Sequence, residues 1–315
     1  MGALRSEGGC WSILRRQRDG QRRVTLPVPL HIPGVNLDRG KRMKRVVMFS
    51  GGIGSWAAAK LVAQEFGTDN LYLVFADVKG NSTNPHIGED EDTYRFIEDA
   101  AKNVGGTYVY LNEGRDIWQV FKDKRFLGNS RLANCSHLLK QKPARSWLDE
   151  NCNPQETIVY VGIDWTETHR LPAIVKNYLP YQAEAPLTKP PYLEKDDLIA
   201  WAKREGITTP RLYDLGFSHN NCGGGCVRAG QGQFKKLLEV MPERFATWEA
   251  EEQKMREFLD KDVAILSEVV AGVKRPLPLI ELRRRAELEP QQIDMFDIGG
   301  CGCFFEDDER QGENG

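Results

Sequence analysis

A chain of 315 residues is long enough for one substantial core with an appendage, or for two small domains. Its hydrophobic fraction of 40% and charged fraction of 28% are those of an ordinary soluble globular protein, and its net charge of −2 argues against wholesale nucleic-acid binding while leaving room for a local basic face. No apolar run approaches the roughly 20 residues that a membrane-spanning helix needs. The seven cysteines, without a signal peptide, read as cytoplasmic thiols for metal or redox chemistry rather than as a secreted disulfide framework.

Residues 1–42 carry arginines without helical apolar spacing, followed by prolines, and are read as a disordered basic leader. A basic arm for RNA or DNA and an organelle-targeting peptide are the alternatives. Met43 is the expected start of the folded part. The run Val46, Val47, Met48, Phe49 predicts a buried strand, and the apolar residues from Trp56 to Val62 recur at helical spacing. Between them lies "SGGIGS", a glycine-rich turn at a helix N-terminus. Its unobstructed N–H groups and the partial positive charge of the helix favour an anion, with phosphate the expected guest.

Strand and helix then alternate. "LYLVFAD" predicts a strand ending at Asp77, a helix opens at Thr93, "TYVYLN" predicts a third strand and "TIVYVGI" a fourth that runs into the charged loop "DWTETHR". Such alternation specifies an α/β fold with a parallel sheet and helices on both faces, whose ligands bind beyond the carboxyl ends of the strands. Beyond about residue 190 the pattern changes to helices joined by cysteine-bearing loops. The expected organisation is a leader (1–42), a nucleotide-binding domain (43–190) and a helical C-terminal region (191–315).

The Walker pattern Gly-x4-Gly-Lys-Ser/Thr and the dinucleotide pattern Gly-x-Gly-x-x-Gly both fail at the glycine turn. The turn instead resembles the Ser-Gly-Gly-x-Asp-Ser loop of the PP-loop ATP pyrophosphatase superfamily, matching it at Ser50, Gly51, Gly52 and Ser55. Gly54 stands where that family has an aspartate that helps hold magnesium. "VGIDWTETHR" resembles the second signature of the superfamily's phosphoadenosine phosphosulfate (PAPS) reductase-like branch at Gly162, Ile163, Glu167 and Arg170, with Asp164 where a basic residue is common. "FAD" and "EDTYRFI" add weaker matches. The resemblance implies a Rossmann-like (adenine nucleotide alpha hydrolase-like) sheet that binds ATP or a PAPS-type or APS-type adenine nucleotide. Ser50, Gly51, Gly52, Gly54, Ser55, Phe75, Asp77 and Gly162 would hold the nucleotide, and Arg170 would offer a bidentate fork to phosphate or sulfate, oriented by Glu167.

The cysteines follow the order of the same branch. "NCSHLLKQKP" presents Cys135, Lys140 and Lys142 before Pro143, "NCGGGC" presents Cys222 and Cys226, and "GGCGCF" presents Cys301 and Cys303 in the tail. Two cysteines in a glycine loop bring two thiolates to one ion. Cys135, Cys222, Cys226 and Cys301 are therefore candidate ligands for a 4Fe-4S cluster or zinc. A tail cysteine, Cys301 or Cys303, is the candidate nucleophile. Cys10 and Cys152 are read as structural thiols, and His137 and His219 as residues near the cysteines that are more often solvated.

Three functions are open on these residues. One is cysteine- or iron–sulfur-assisted sulfur chemistry on an adenylyl nucleotide, with a thiol reductant or sulfur donor as partner. A second is an AMP-forming transferase that adenylates and thiolates or amidates a nucleic acid or metabolite. The third is a non-catalytic nucleotide-binding module stapled by metal, which the loss of the aspartate at Gly54 favours.

Overall fold

The computed structural model describes residues 43–129 and 132–289, together with Asp294 and Asp297. Residues 1–42, Cys10, Cys301 and Cys303 lie outside the described residues.

The first half of the chain runs β1 (Lys44–Met48), α1 (Ile53–Phe66), β2 (Leu71–Asp77), α2 (Glu91–Val104), β3 (Thr107–Asn112), α3 (Ile117–Lys124), α4 (Lys142–Asn151), β4 (Thr157–Tyr160), α5 (Leu171–Tyr178) and β5 (Gln182–Glu184). All neighbouring strand pairs are parallel, and the order across the sheet is β3-β2-β1-β4-β5. This is the parallel sheet that the alternation specified, with the Rossmann-like winding that the resemblance implied. The chain winds one way from β1 to β3 and the other way from β4 to β5. The direction of winding therefore reverses between β1 and β4, where such sheets open a crevice.

Burial on both faces explains the continuous apolar run of β1. With successive side chains pointing to opposite faces, Val47 and Phe49 join a core with Trp56, Phe96 and Trp201. Val46 and Met48 join another with Ala144, Leu148 and Ile174. Helices α1 and α2 thus cover one face of the sheet, α4 and α5 the other.

The second half runs α6 (Lys195–Arg204), α7 (Arg211–Asp214), α8 (Gln231–Val240), α9 (Pro242–Leu259), β6 (Leu266–Val270), β7 (Val273–Leu277) and α10 (Leu279–Leu288). Trp201 of α6 packs edge-on against Trp56 of α1, with ring centroids 4.9 Å apart. A third core joins Trp118 and Phe121 of α3 to Phe234, Phe245 and Trp248. Residues from both sides of position 190 therefore build two of the three cores. None of the described helices is long and apolar enough to cross a membrane.

Two features depart from the sequence reading. "LSEVVAGVKRPL" is an antiparallel hairpin, not a helical or loop segment. It turns through Ala271 and Gly272, both at positive φ, and Pro276 interrupts the strand pattern. The Cys135 segment runs into a π-helical turn (Ser136–Gln141) that leads directly into α4. Glu252 of α9 ties the hairpin down, accepting hydrogen bonds from the backbone N–H groups of Ile265 (2.8 Å) and Leu279 (2.6 Å).

Candidate functional site

A cleft of about 550 Å³ opens at the reversal point between β1 and β4, a volume within the range of small-ligand sites. The glycine turn forms one wall, residues 161–170 the second, and side chains from the second half of the chain the third.

The turn is built for close approach. Gly51 sits at φ +81 with Ile97 and Thr93 packed where a side chain would go. A Cβ on Gly52 would meet only the hydroxyls of Tyr213 and Ser50, at 3.5 and 3.7 Å, so this position faces open cleft. Helix α1 has no side-chain cap and no acidic residue in its first turn, which leaves its partial positive charge directed at the cleft. Ser55 is buried and donates to the Gly52 carbonyl (2.8 Å), fixing the shape of the turn.

Gly54 has a packing reason. A Cβ there would lie 2.5 Å from the Gly162 carbonyl oxygen, and a Cβ on Gly162 would lie 2.5 Å from the Ser55 nitrogen. The two loops touch backbone to backbone, and an aspartate has no room at position 54.

On the second wall, Asp164 accepts from the N–H (2.8 Å) and hydroxyl (2.6 Å) of Thr166, opening the short helical turn that carries Glu167 and Arg170. Glu167 and Arg170 form an ion pair with each other, and both line the cleft. The third wall was not read from the sequence as part of the site. Lys195, Tyr213, Asn220 and Arg228 all line it. Tyr213 accepts a hydrogen bond from the Ile53 N–H at the start of α1 (3.1 Å), and Asn220 donates to the Gly51 carbonyl (2.8 Å). The "SHNN" run before Cys222 was the available signal, since short polar side chains beside a glycine loop suit backbone recognition. His219 lines the cleft, and His137 contacts Gln141 (3.1 Å) away from it.

Phe75 and Asp77 do not line the cleft. Phe75 is buried beneath Tyr94 and Tyr110, and the Asp77 carboxylate accepts from both phenols at 2.8 Å and from the Lys79 N–H at 3.0 Å. Burial and this carboxylate push both phenols up, Tyr110 to about 12 and Tyr94 further. A carboxylate satisfied from three sides fastens β2 to its neighbours.

Cys135, Cys222 and Cys226 come together around a small cavity of about 20 Å³, with Lys140 and Arg228 in its lining. Each glycine of "CGGGC" has a reason. Gly223 and Gly224 have positive φ, a Cβ on Gly223 would strike the Arg244 guanidinium at 2.1 Å, and one on Gly225 would strike the Trp248 ring at 2.5 Å. Cys222, itself at φ +49, is held by a hydrogen bond from its N–H to Glu89. Glu89 in turn pairs with Lys140 at 3.1 Å, both side chains fully buried. The donor types suit a thiolate-bound metal, but the space does not: the cavity has room for about one water molecule. Among the described residues, no group of three or more His, Cys, Asp or Glu side chains could hold a metal ion. Cys152 lies elsewhere, against the core under α4, where burial pushes its thiol up.

One residue belongs to both places. Arg228 lines the cleft and the three-cysteine cavity alike, so the two sites share a wall.

No protein-family model matches the chain, and no curated protein does. Among solved structures it is similar to the crystal structure of phosphoadenylyl-sulfate (PAPS) reductase from Candida auris in a phosphate complex. The likeness is distant. The identity is 16%, the match covers 56% of this chain and 80% of that one, and the TM-score is 0.37. The parallel order β3-β2-β1-β4-β5 defines the fold independently of this likeness.

Proposed function

We propose that the chain is an enzyme that binds an adenine nucleotide, ATP or an adenylyl sulfate, in the cleft, and that its cysteines carry out sulfur chemistry on that nucleotide. The observation that carries this reading is the wall shared through Arg228, which sets three thiols beside a cleft suited to phosphate or sulfate. The anion would lie on the N-terminus of α1 with Arg170 as a second donor. The arginine is already paired with Glu167 and so enters the site oriented.

In the sulfur-transfer step, a cysteine thiolate attacks the sulfur of the adenylyl sulfate. An S–S bond forms, the S–O bond to the nucleotide breaks, and the nucleotide leaves as its phosphate. An external dithiol then reduces the thiosulfonate and releases sulfite. Cys301 or Cys303 is the proposed nucleophile. The AMP-forming alternative is disfavoured by Gly54, where the packing against Gly162 leaves no room for a magnesium-binding carboxylate.

Calorimetric titration with ATP and adenosine 5′-phosphosulfate tests the reading. Wild type should bind at least one of them, and a Gly52→Val variant should not. The fold should tolerate this change, because the neighbours of a Cβ at position 52 stand at ordinary contact distance. Absence of binding in wild type, or unchanged affinity in a folded variant, would overturn it. Iron, acid-labile sulfide and zinc contents of anaerobically purified protein separate a cluster from a structural zinc and from free thiols.

A further inference from the structure

Helix α1 opens with Gly52 at its N-cap position, which offers no side chain to accept from the first N–H groups of the helix. An acceptor comes instead from 160 positions away, where the Tyr213 hydroxyl takes the Ile53 N–H at 3.1 Å. The same oxygen lies 3.5 Å from where a Cβ on Gly52 would stand, so the phenol rests over the glycine turn itself.

The backbone that carries this phenol is anchored. Arg211 fastens α7 to the start of α2, its N–H donating to the Asp92 carboxylate (2.7 Å) and its guanidinium to Asp90 (2.8 and 2.7 Å). Two residues on, the Tyr213 ring packs against the core that holds Trp56 and Trp201. The Lys195 ammonium stands 5.8 Å from the centre of the ring and donates to the Ser218 carbonyl. Lys195, Ser218 and Tyr213 all line the cleft.

An anion entering the cleft therefore meets both partners of the phenol. A phosphate or sulfate oxygen bonds a helix N-terminal N–H more strongly than a neutral hydroxyl does, and its charge also draws the Lys195 ammonium away from the ring. With α7 held by Arg211, the part that yields is the Tyr213 side chain. We propose that the Tyr213 phenol is a gate on the glycine turn, seated on the Ile53 N–H until the phosphate or sulfate of the nucleotide takes that donor. The inference rests on the proposed function for the identity of the anion. It makes Tyr213 a residue that sets affinity and selection, because part of the binding free energy goes into removing the phenol and an anion too weakly held to do so is excluded.

Calorimetry and amide resonances on the full chain test the gate. Tyr213→Phe keeps the ring in its core and removes only the competing oxygen. It should bind ATP or adenylyl sulfate about three- to tenfold more tightly than wild type, the worth of one ordinary hydrogen bond, with a melting transition close to wild type. In protein labelled at the isoleucine amides, the Ile53 resonance, assigned through Ile53→Val, should move when wild type is saturated with nucleotide. The Tyr213→Phe substitution alone should move it too. Equal or weaker affinity in folded Tyr213→Phe would overturn the gate, a weaker one making the phenol a donor to the anion rather than its competitor. An Ile53 resonance that stays in place in saturated wild type would overturn it without any variant. Absence of nucleotide binding in wild type and variant alike is instead the failure of the functional reading, and the gate falls with it.

Discussion

Gly54 and Gly162 meet backbone to backbone, bringing the loop after β1 against the loop after β4 with no space for a side chain on either. This contact sets the width of the cleft at its base. Replacing either glycine by alanine forces the loops apart, at a cost of about 1–3 kcal/mol for an overpacked site. The expected outcome is a lower melting temperature and weaker nucleotide binding in both variants. Gly54→Asp, which puts a larger, charged side chain at the same position, should be the least stable of the three. A Gly54→Asp protein as stable as wild type would show that the loops can separate freely.

The Lys140–Glu89 pair supports the cysteine loop from below. Both side chains are excluded from water, and Glu89 also receives the Cys222 N–H. Removing one charge of a buried pair strands the other, at a cost of about 3–5 kcal/mol. Lys140→Met should therefore destabilise strongly in urea denaturation, and adding Glu89→Gln should recover part of the loss. A loss below about 1 kcal/mol in the single variant would mean that water reaches Glu89.

The sheet was legible because its strands obey simple rules. The apolar run 46–49 can be buried on both faces only in a parallel sheet covered by helices, and the glycine turn does line a cleft beyond the end of β1. The three cysteines 135, 222 and 226 could be grouped by motif, and they do share one cavity. What sequence alone did not carry was long-range. Tyr213 meets Ile53 across 160 positions, and Asn220 meets Gly51 across 169. Neither residue sits in a periodic pattern that announces a contact. Asp77 was placed at the ligand because it ends a strand, yet its carboxylate is consumed by Tyr94 and Tyr110. The hairpin 266–277 was missed because its turn is Ala-Gly and Pro276 breaks the strand signal.

Glu252 gives a pH dependence with a definite sign. Burial raises its carboxyl to about 7 from an ordinary value of 4.5, against the lowering effect of the Ile265 and Leu279 N–H groups. The folded state thus holds this proton more tightly than the unfolded one. The contribution is fully present below pH 4.5 and is lost as pH rises to about 7, by up to about 3 kcal/mol. Denaturation at pH 5 and pH 8 should show the loss in wild type. Glu252→Gln, which cannot ionise, should lack that component of the slope, and an identical slope in both proteins would refute the assignment.

Arg228 supplies the sharpest test of the link between cleft and cysteines, because it borders both. If its guanidinium contacts the nucleotide, its loss removes a charge-assisted hydrogen bond of about 1.5–3 kcal/mol, roughly a tenfold or greater fall in affinity. If the same group also favours thiolate at the cavity, its loss raises the thiol pKa there and slows alkylation near neutral pH. The backbone of residue 228 donates to the Cys226 sulfur at 3.4 Å and survives the substitution, so only the side-chain effect is read. Arg228→Ala should therefore lower ATP affinity in calorimetry and slow iodoacetamide labelling of Cys226 together. Arg228→Lys, which keeps the charge but not the planar fork, should restore the labelling rate more fully than the affinity. A change in only one of the two measurements in Arg228→Ala would separate the sites and remove the basis for joining them in one reaction.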